Sequence, residues 1–214
     1  MVLTSEQDIY PKFTQAQCET WDNVHVNGIK TLFYSECLFN DSSKYGYLRE
    51  VNPWRTMLRI NCSDDFYMIH WKTKLALDVA LARDDWDIVF RTNNSSYINK
   101  VNLFTFCQAL PTRAVYGGWF NNDRFVSGAG IFLSRDYCEV LSRQVKEMLS
   151  YEEDVLYGDI FKSRGITATF DDRSRLDWPN LGDDYRSAYH IRFKTEERLN
   201  DVRNMYLFHK KLYA

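Results

Sequence analysis

Hydrophobic positions in this chain come in short dense runs, and the period of the runs changes along it. Residues 29–35 (IKTLFYS) and 56–62 (TMLRINC) are apolar, rich in β-branched and aromatic side chains, and too short for helices, so both predict strands. From residue 63 the spacing becomes helical. Ser63 is an N-cap candidate with Asp64 and Asp65 in the first turn, and the pattern continues to about Arg83. Residues 87–90 (DIVF) predict another buried strand. It runs straight into Arg91, Thr92, Asn93, Asn94, Ser95 and Ser96, a polar cluster with no acid.

The second half repeats the alternation. Ser96 is placed to cap a helix that reaches Leu110 and stops at Pro111. RAVYGG and RFVSGAGIFLS predict two glycine-broken strands. A helix over residues 135–149, capped by Ser134, precedes a shorter one that Gly165 ends. ITATF and YHIRFK predict two late strands, and Thr195 caps a final helix. Strands alternating with helices through short connections predict an α/β domain, with a mostly parallel (mixed) central sheet flanked by helices. Ligands of such sheets bind beyond the carboxyl ends of the strands.

Composition narrows this picture. The 214 residues, 45% of them hydrophobic, suit one domain over 1–214, whether whole or cut from a longer protein. With 27 basic and 29 acidic side chains, the chain has no electrostatic footprint for nucleic acid or an anionic membrane. No apolar run approaches a membrane span, and MVLTSEQDIY does not read as a signal peptide, so a cytoplasmic protein with reduced cysteines is expected. Dinucleotide, phosphate-loop, hydrolase-elbow and zinc-protease signatures are absent from the sequence.

Five features carry candidate chemistry. Asp78 falls in the apolar stripe of Trp71, Leu75 and Ala82, where a carboxylate needs a partner: a metal ion, or an ion pair with Lys74 one turn earlier. The cluster from Arg91 to Ser96 offers neutral donors and acceptors for a nucleotide sugar, or is a plain strand-to-helix turn. Ser127 and Gly128 open a run of small residues that lets another group approach the backbone, or is simply another strand. Glu153 and Asp154 begin a helix, where acids complement its dipole unless one is aimed into a pocket. His190, Arg192 and Lys194 alternate along one strand face, which suits a diphosphate, with His190 as a possible metal ligand, or the wet face of an edge strand.

In order and spacing these segments resemble the GT-A-type nucleotide-sugar glycosyltransferases, and within them chlorella-virus members that build a capsid glycan. The resemblance rests on Lys72-Thr73, Arg91 to Ser96, Ser127 to Asp136, Glu153 to Gly158 and His190 to Lys194, and it spans the chain from about residue 30 to its end. It implies a metal-dependent transfer of a hexose or deoxyhexose, of glucose or rhamnose type, from a UDP-sugar to a saccharide acceptor of a growing glycan, in the host cytoplasm for a viral protein. Mn or Mg would bridge the diphosphate as a Lewis acid. Asp154 or Glu153 would be catalytic. Arg91, Thr92, Asn93, Asn94, Ser95, Lys74, Ser127, Gly128, Arg192 and Lys194 would hold the nucleotide sugar, and Asp78 and His190 the metal. Where the family carries Asp-x-Asp, this chain reads Asn93-Asn94-Ser95. A second expectation, a glycan-binding or scaffold module on the same fold without catalysis, rests on that change.

Overall fold

The computed structural model describes residues 1–37, 45–83, 85–121, 124–147, 152–172, 174–182 and 185–213. In chain order the elements are β1 (Val2–Leu3), α1 (Tyr10–Glu19), β2 (Thr31–Glu36), β3 (Tyr45–Asn52), β4 (Arg55–Ile60) and α2 (Ile69–Arg83). Next come β5 (Ile88–Asn93), β6 (Ser96–Ile98), α3 (Lys100–Gln108), β7 (Tyr116–Asn121), β8 (Phe125–Ser134), α4 (Arg135–Gln144) and α5 (Glu153–Lys162). The chain closes with β9 (Phe170–Asp171), β10 (Leu176–Asp177), β11 (His190–Arg192) and α6 (Arg198–Tyr213).

Eight strands form the main sheet in the order β3-β4-β2-β1-β5-β8-β7-β9. The four strands β4, β2, β1 and β5 are mutually parallel neighbours, while β3, β8 and β7 pair antiparallel. A small sheet, β10-β11-β6, lies beside it. Side-chain alternation divides the interior into two layers. Phe33, Phe90 and Phe132 pack on one face with Phe13, Leu103 and Phe208 from α1, α3 and α6. Tyr34, Val89 and Ile131 pack on the other with Leu75, Leu141 and Phe161 from α2, α4 and α5. Burial on both faces explains why the central strands read as nearly continuous apolar runs.

Several boundaries differ from the sequence expectations for local reasons. Asp65, not Ser63, opens the helical region: its side chain accepts from Tyr67 N at 2.8 Å above a single tight turn, and α2 begins at Ile69. Ser96 starts a strand rather than capping a helix. Asn99 caps α3 instead, accepting from Asn102 N at 3.3 Å. The Ser134 hydroxyl accepts from Val115 N at 2.9 Å and makes no cap bond to α4, which ends at Gln144. Residues 148 and 149 of the expected helix lie outside the described residues. The final helix starts at Arg198, and Asp201 within it receives Thr195 N at 3.0 Å and the Thr195 hydroxyl at 2.7 Å. Among the described residues no helix is long and apolar enough to cross a membrane.

The connection pattern fixes where a ligand belongs. From β1 the chain moves outward on one side through β2 to β4, then crosses back to place β5 on the other side of β1. Connections that leave in opposite directions open a crevice at the carboxyl ends of β1 and β5. Asn93-Asn94-Ser95 stands at that point.

Candidate functional site

The floor of the crevice is built from β5. Alternation sends Arg91 and Thr92 to opposite faces, and both are buried. Arg91 donates through Nε to the Tyr34 hydroxyl at 3.2 Å, gives one terminal nitrogen to the Gly128 carbonyl, and pairs the other with Glu153. Tyr34 in turn meets the Thr73 hydroxyl at 2.9 Å on α2. Burial pushes the Glu153 carboxyl upward, and the charge of Arg91 opposes that rise. On the opposite face the Thr92 hydroxyl donates to Ser96 Oγ at 2.6 Å, and Ser96 Oγ meets His190 Nε2 at 2.8 Å. His190 is buried. Desolvation lowers its imidazole to about 3, with Arg175 and Arg192 adding to the effect, so the ring is neutral.

The turn after β5 is held by its own polar side chains. Asn93 Oδ1 accepts from Ser95 N at 3.1 Å, the short loop that Asn and Asp favour. Gln17 of α1 donates to the backbone oxygens of Asn93 and Ser96 at 3.2 and 2.8 Å. Ser95 Oγ receives Arg198 at 3.0 Å, and its carbonyl receives Phe193 N at 2.7 Å. Thus the neutral residues that the sequence singled out are the hinge between the main sheet and the β6–β11 pair.

Opposite the turn, β8 and the start of α5 present the acidic wall. Asp154 is half-buried; its Oδ2 accepts from Gly128 N at 2.9 Å and its Oδ1 from Val155 N at 3.0 Å. The small residues of S-G-A-G let groups of the protein itself approach. A Cβ on Gly128 would stand 3.3 Å from Asp154 Oδ2, and one on Gly130 would stand 3.1 Å from the His190 ring. Glu153 is consumed by Arg91, so of the two expected catalytic acids Asp154 is the one that faces the crevice.

The third wall is basic. Arg192 is half-buried and Lys194 exposed; among the described residues neither has a carboxylate within ion-pair distance. Among the described residues the buried Nε of Arg192 has no hydrogen-bond partner. Two cations that sequence reasoning missed join them. Arg175 lies over the Trp119 ring at 4.0 Å and 3.4 Å from Asp177, and Arg198 pairs with Asp201 at 2.5 Å. Burial, then Arg175, lower the Arg192 guanidinium, and Arg192 lowers the Lys194 ammonium. Their positions in sequence, one in a loop and one at a helix start, gave no local signal.

Solved structures of the same shape exist. A glycosyltransferase involved in glycosylating the major capsid of PBCV-1 superposes with a TM-score of 0.59 at 12% identity, over 96% of this chain and 98% of that one. The galactosyltransferase LgtC, solved with donor and acceptor sugar analogues, superposes with a TM-score of 0.54 at 10% identity, over 100% of this chain and 96% of that one. The fold is GT-A. No protein-family model and no curated protein sequence matches, so the likeness is one of architecture.

Within this GT-A frame two expected residues lie apart from the crevice. Asp78 pairs with Lys74 at 2.5 Å and accepts from Ser142 of α4 at 2.6 Å. This is the ion-pair alternative, and it ties α2 to α4. The apolar stripe fails there because α2 is buried on all sides through Leu77, whereas Ala82 is exposed. Asp78 also lies about 7.5 Å along the helix axis from Thr73, toward the amino edge of the sheet. The residues at the GT-A crevice do not form a metal cage: among the described residues no three His, Cys, Asp or Glu side chains converge to hold an ion. Asn93 and Asn94 stand where the resemblance carries acids, and His190, expected as a metal ligand, is buried and bonded to Ser96.

A cavity of about 600 Å³ lies at the amino edge of the sheet among Trp21, Trp54, Arg83, Asp87 and Phe104. A groove of about 420 Å³ runs beside Asp154, between Phe66, Tyr67, Arg124, Glu152 and Val155. Only the second borders the strand-end crevice.

Proposed function

We propose that the chain is a glycosyltransferase that moves a hexose or deoxyhexose from a UDP-sugar to a saccharide acceptor of a growing glycan. The observation that carries the reading is a basic wall with more cations than carboxylates among the described residues, set against a half-buried carboxylate at the strand-end crevice of a GT-A fold. Arg192, Lys194 and Arg198 would receive the diphosphate, guanidinium groups being suited to bidentate contact with phosphate oxygens. Their worth rises as the sugar–phosphate bond breaks, because negative charge then gathers on the departing oxygen. Asp154, oriented by the Gly128 and Val155 amides, would act at the anomeric carbon. With inversion it takes the acceptor proton; with retention it steadies the cationic sugar. The exposed Phe66 and Tyr67 rings supply an apolar platform for an acceptor sugar.

Incubation with UDP-sugars and an oligosaccharide acceptor tests this, with released UDP and the product anomer as readouts. Asp154→Asn is expected to lower kcat by about 100-fold or more, in the range of a lost acid–base group, with donor affinity nearly unchanged. A loss confined to donor affinity would move Asp154 to the donor site. Asn93-Asn94-Ser95 favours one other reading, a glycan-binding or scaffold module on the same fold. Such a module releases no UDP with or without acceptor.

A further inference from the structure

Resting on that donor-site reading, we propose that protein cations alone neutralise the departing diphosphate, and that this site works without a divalent ion. The first support is the set of available ligands. A divalent cation needs several anionic or imidazole donors, and hard ions such as Mg and Mn favour carboxylate oxygens. The strand end supplies only the amides of Asn93 and Asn94. Among the described residues each carboxylate around the crevice already has a partner, and the second oxygen of Glu153, which has none, is sealed from solvent. Glu153 is held by Arg91, Asp154 by the Gly128 and Val155 amides, Asp201 by Arg198 and Thr195, and Asp177 faces Arg175.

The second support is charge. Among the described residues Arg175, Arg192, Lys194 and Arg198 stand against Asp177 and Asp201, four cations to two carboxylates. The surplus matches a nucleoside-diphosphate sugar, which carries one negative charge on each phosphate. A divalent ion placed in the same wall would meet repulsion from every one of these cations with no carboxylate free to offset it. The third support is an unmet donor. Among the described residues the buried Arg192 Nε–H has no acceptor, a state that buried donors rarely keep unless a ligand supplies the partner.

In the reaction the bond between the anomeric carbon and the phosphate oxygen breaks, and its electron pair stays on that oxygen. The acceptor oxygen forms the new bond to the carbon. Its proton passes to Asp154 in inversion, or to the departing phosphate oxygen in retention. The added charge on the diphosphate falls on Arg192 and Lys194, the role that a metal ion would otherwise fill.

Calorimetric titration of the whole chain with UDP, once in EDTA and once in MnCl₂, tests the proposal, alongside turnover in EDTA. Dissociation constants within about threefold of each other, a difference under about 1 kcal/mol, and turnover that persists in EDTA are expected. Arg192→Gln and the surface variant Lys194→Gln are each expected to weaken UDP about tenfold or more in EDTA, the size of a lost charged hydrogen bond. The exposed Lys194 keeps the test valid where Arg192→Gln fails to fold. UDP binding or turnover that appears only with Mn overturns the proposal while leaving the donor site intact. No binding of UDP, GDP, ADP or dTDP in either buffer overturns the donor-site reading itself.

Discussion

Two kinds of positive charge lie within this domain, and they differ in what answers them. Lys72 is fully enclosed between Glu36 at 2.8 Å and Asp64 at 2.5 Å. Burial alone would lower its ammonium, but the hydrogen bonds to Asp64 and Glu36 outweigh it and carry Lys72 above its usual range. Arg91 has Glu153, and Lys100 and Arg55 share the fully buried Asp22. Each such pair joins elements distant in sequence. Asp22, for example, links the end of α1 to the starts of β2, β4 and α3. Among the described residues Arg192 and Lys194 have no carboxylate within ion-pair distance, and Asp177 on the neighbouring strand acts on Arg192 only from farther away. Matched charge in this chain is structural cement, and the excess charge at the strand ends is where we propose that an anion from outside binds.

The comparison breaks most sharply at Asp22. Asp22→Asn leaves two buried cations without a counterion, and about 3–5 kcal/mol of stability should be lost, the cost of breaking a buried pair from one side. Urea denaturation at neutral pH reads this as a lower midpoint. Arg192→Gln, by contrast, removes a cation that repels its neighbours, and should leave the midpoint unchanged or raise it. Equal losses from both variants would erase the distinction between closed and open charge.

His190 sharpens the same comparison, because it lies under the open cluster yet is itself sealed. Its pKa falls from an ordinary 6.5 to about 3 on folding. The unfolded chain therefore binds the extra proton between those values, so stability rises with pH across that window, is fully present above 6.5, and is lost as pH falls below it. The expected loss is about 1.4 kcal/mol for each pH unit below 6.5. His190→Gln keeps a polar partner for Ser96 and cannot titrate there. Denaturation midpoints at pH 7 and pH 5 should differ less in this variant than in the native chain by about 2 kcal/mol. A difference that is the same in both chains would place a charged imidazole in the fold.

Much of the fold was legible because the central strands announce themselves. IKTLFYS, TMLRINC and DIVF are dense apolar runs, and a strand buried on both faces needs little else. The middle strand of the sheet was not legible. β1 is two residues long, Val2 and Leu3, and no period can be read from two positions. It exists because β2 and β5 supply its hydrogen bonds. Ser96 misled for a related reason: a serine before an apolar run reads as a cap, but pairing with Arg192 of β11 makes it a strand. Around the crevice, local pattern singled out the turn after β5, Asp154 and the basic strand as candidates. It could not tell an arginine in a buried ion pair from one without, since only the fold brings Glu153 against Arg91 and leaves Arg192 with Asp177 beyond ion-pair distance. Nor could it bring Arg175 and Arg198 into the crevice, because tertiary packing alone puts them there.

Asp78 is the smallest test and the most direct check on that lesson. Placed by period on an apolar stripe, it called for a cation, and Lys74 on the same helix answers it with help from Ser142. Both partners of the ion pair are partly exposed, so solvent screens it, and Asp78→Ala should cost only about 0.5–1 kcal/mol. Its effect on UDP affinity should be nil, since the carboxylate faces the α2–α4 seam and not the carboxyl ends of the strands. Denaturation and calorimetry on the one variant measure both quantities. A UDP affinity reduced tenfold with stability intact would put Asp78 back in the donor site.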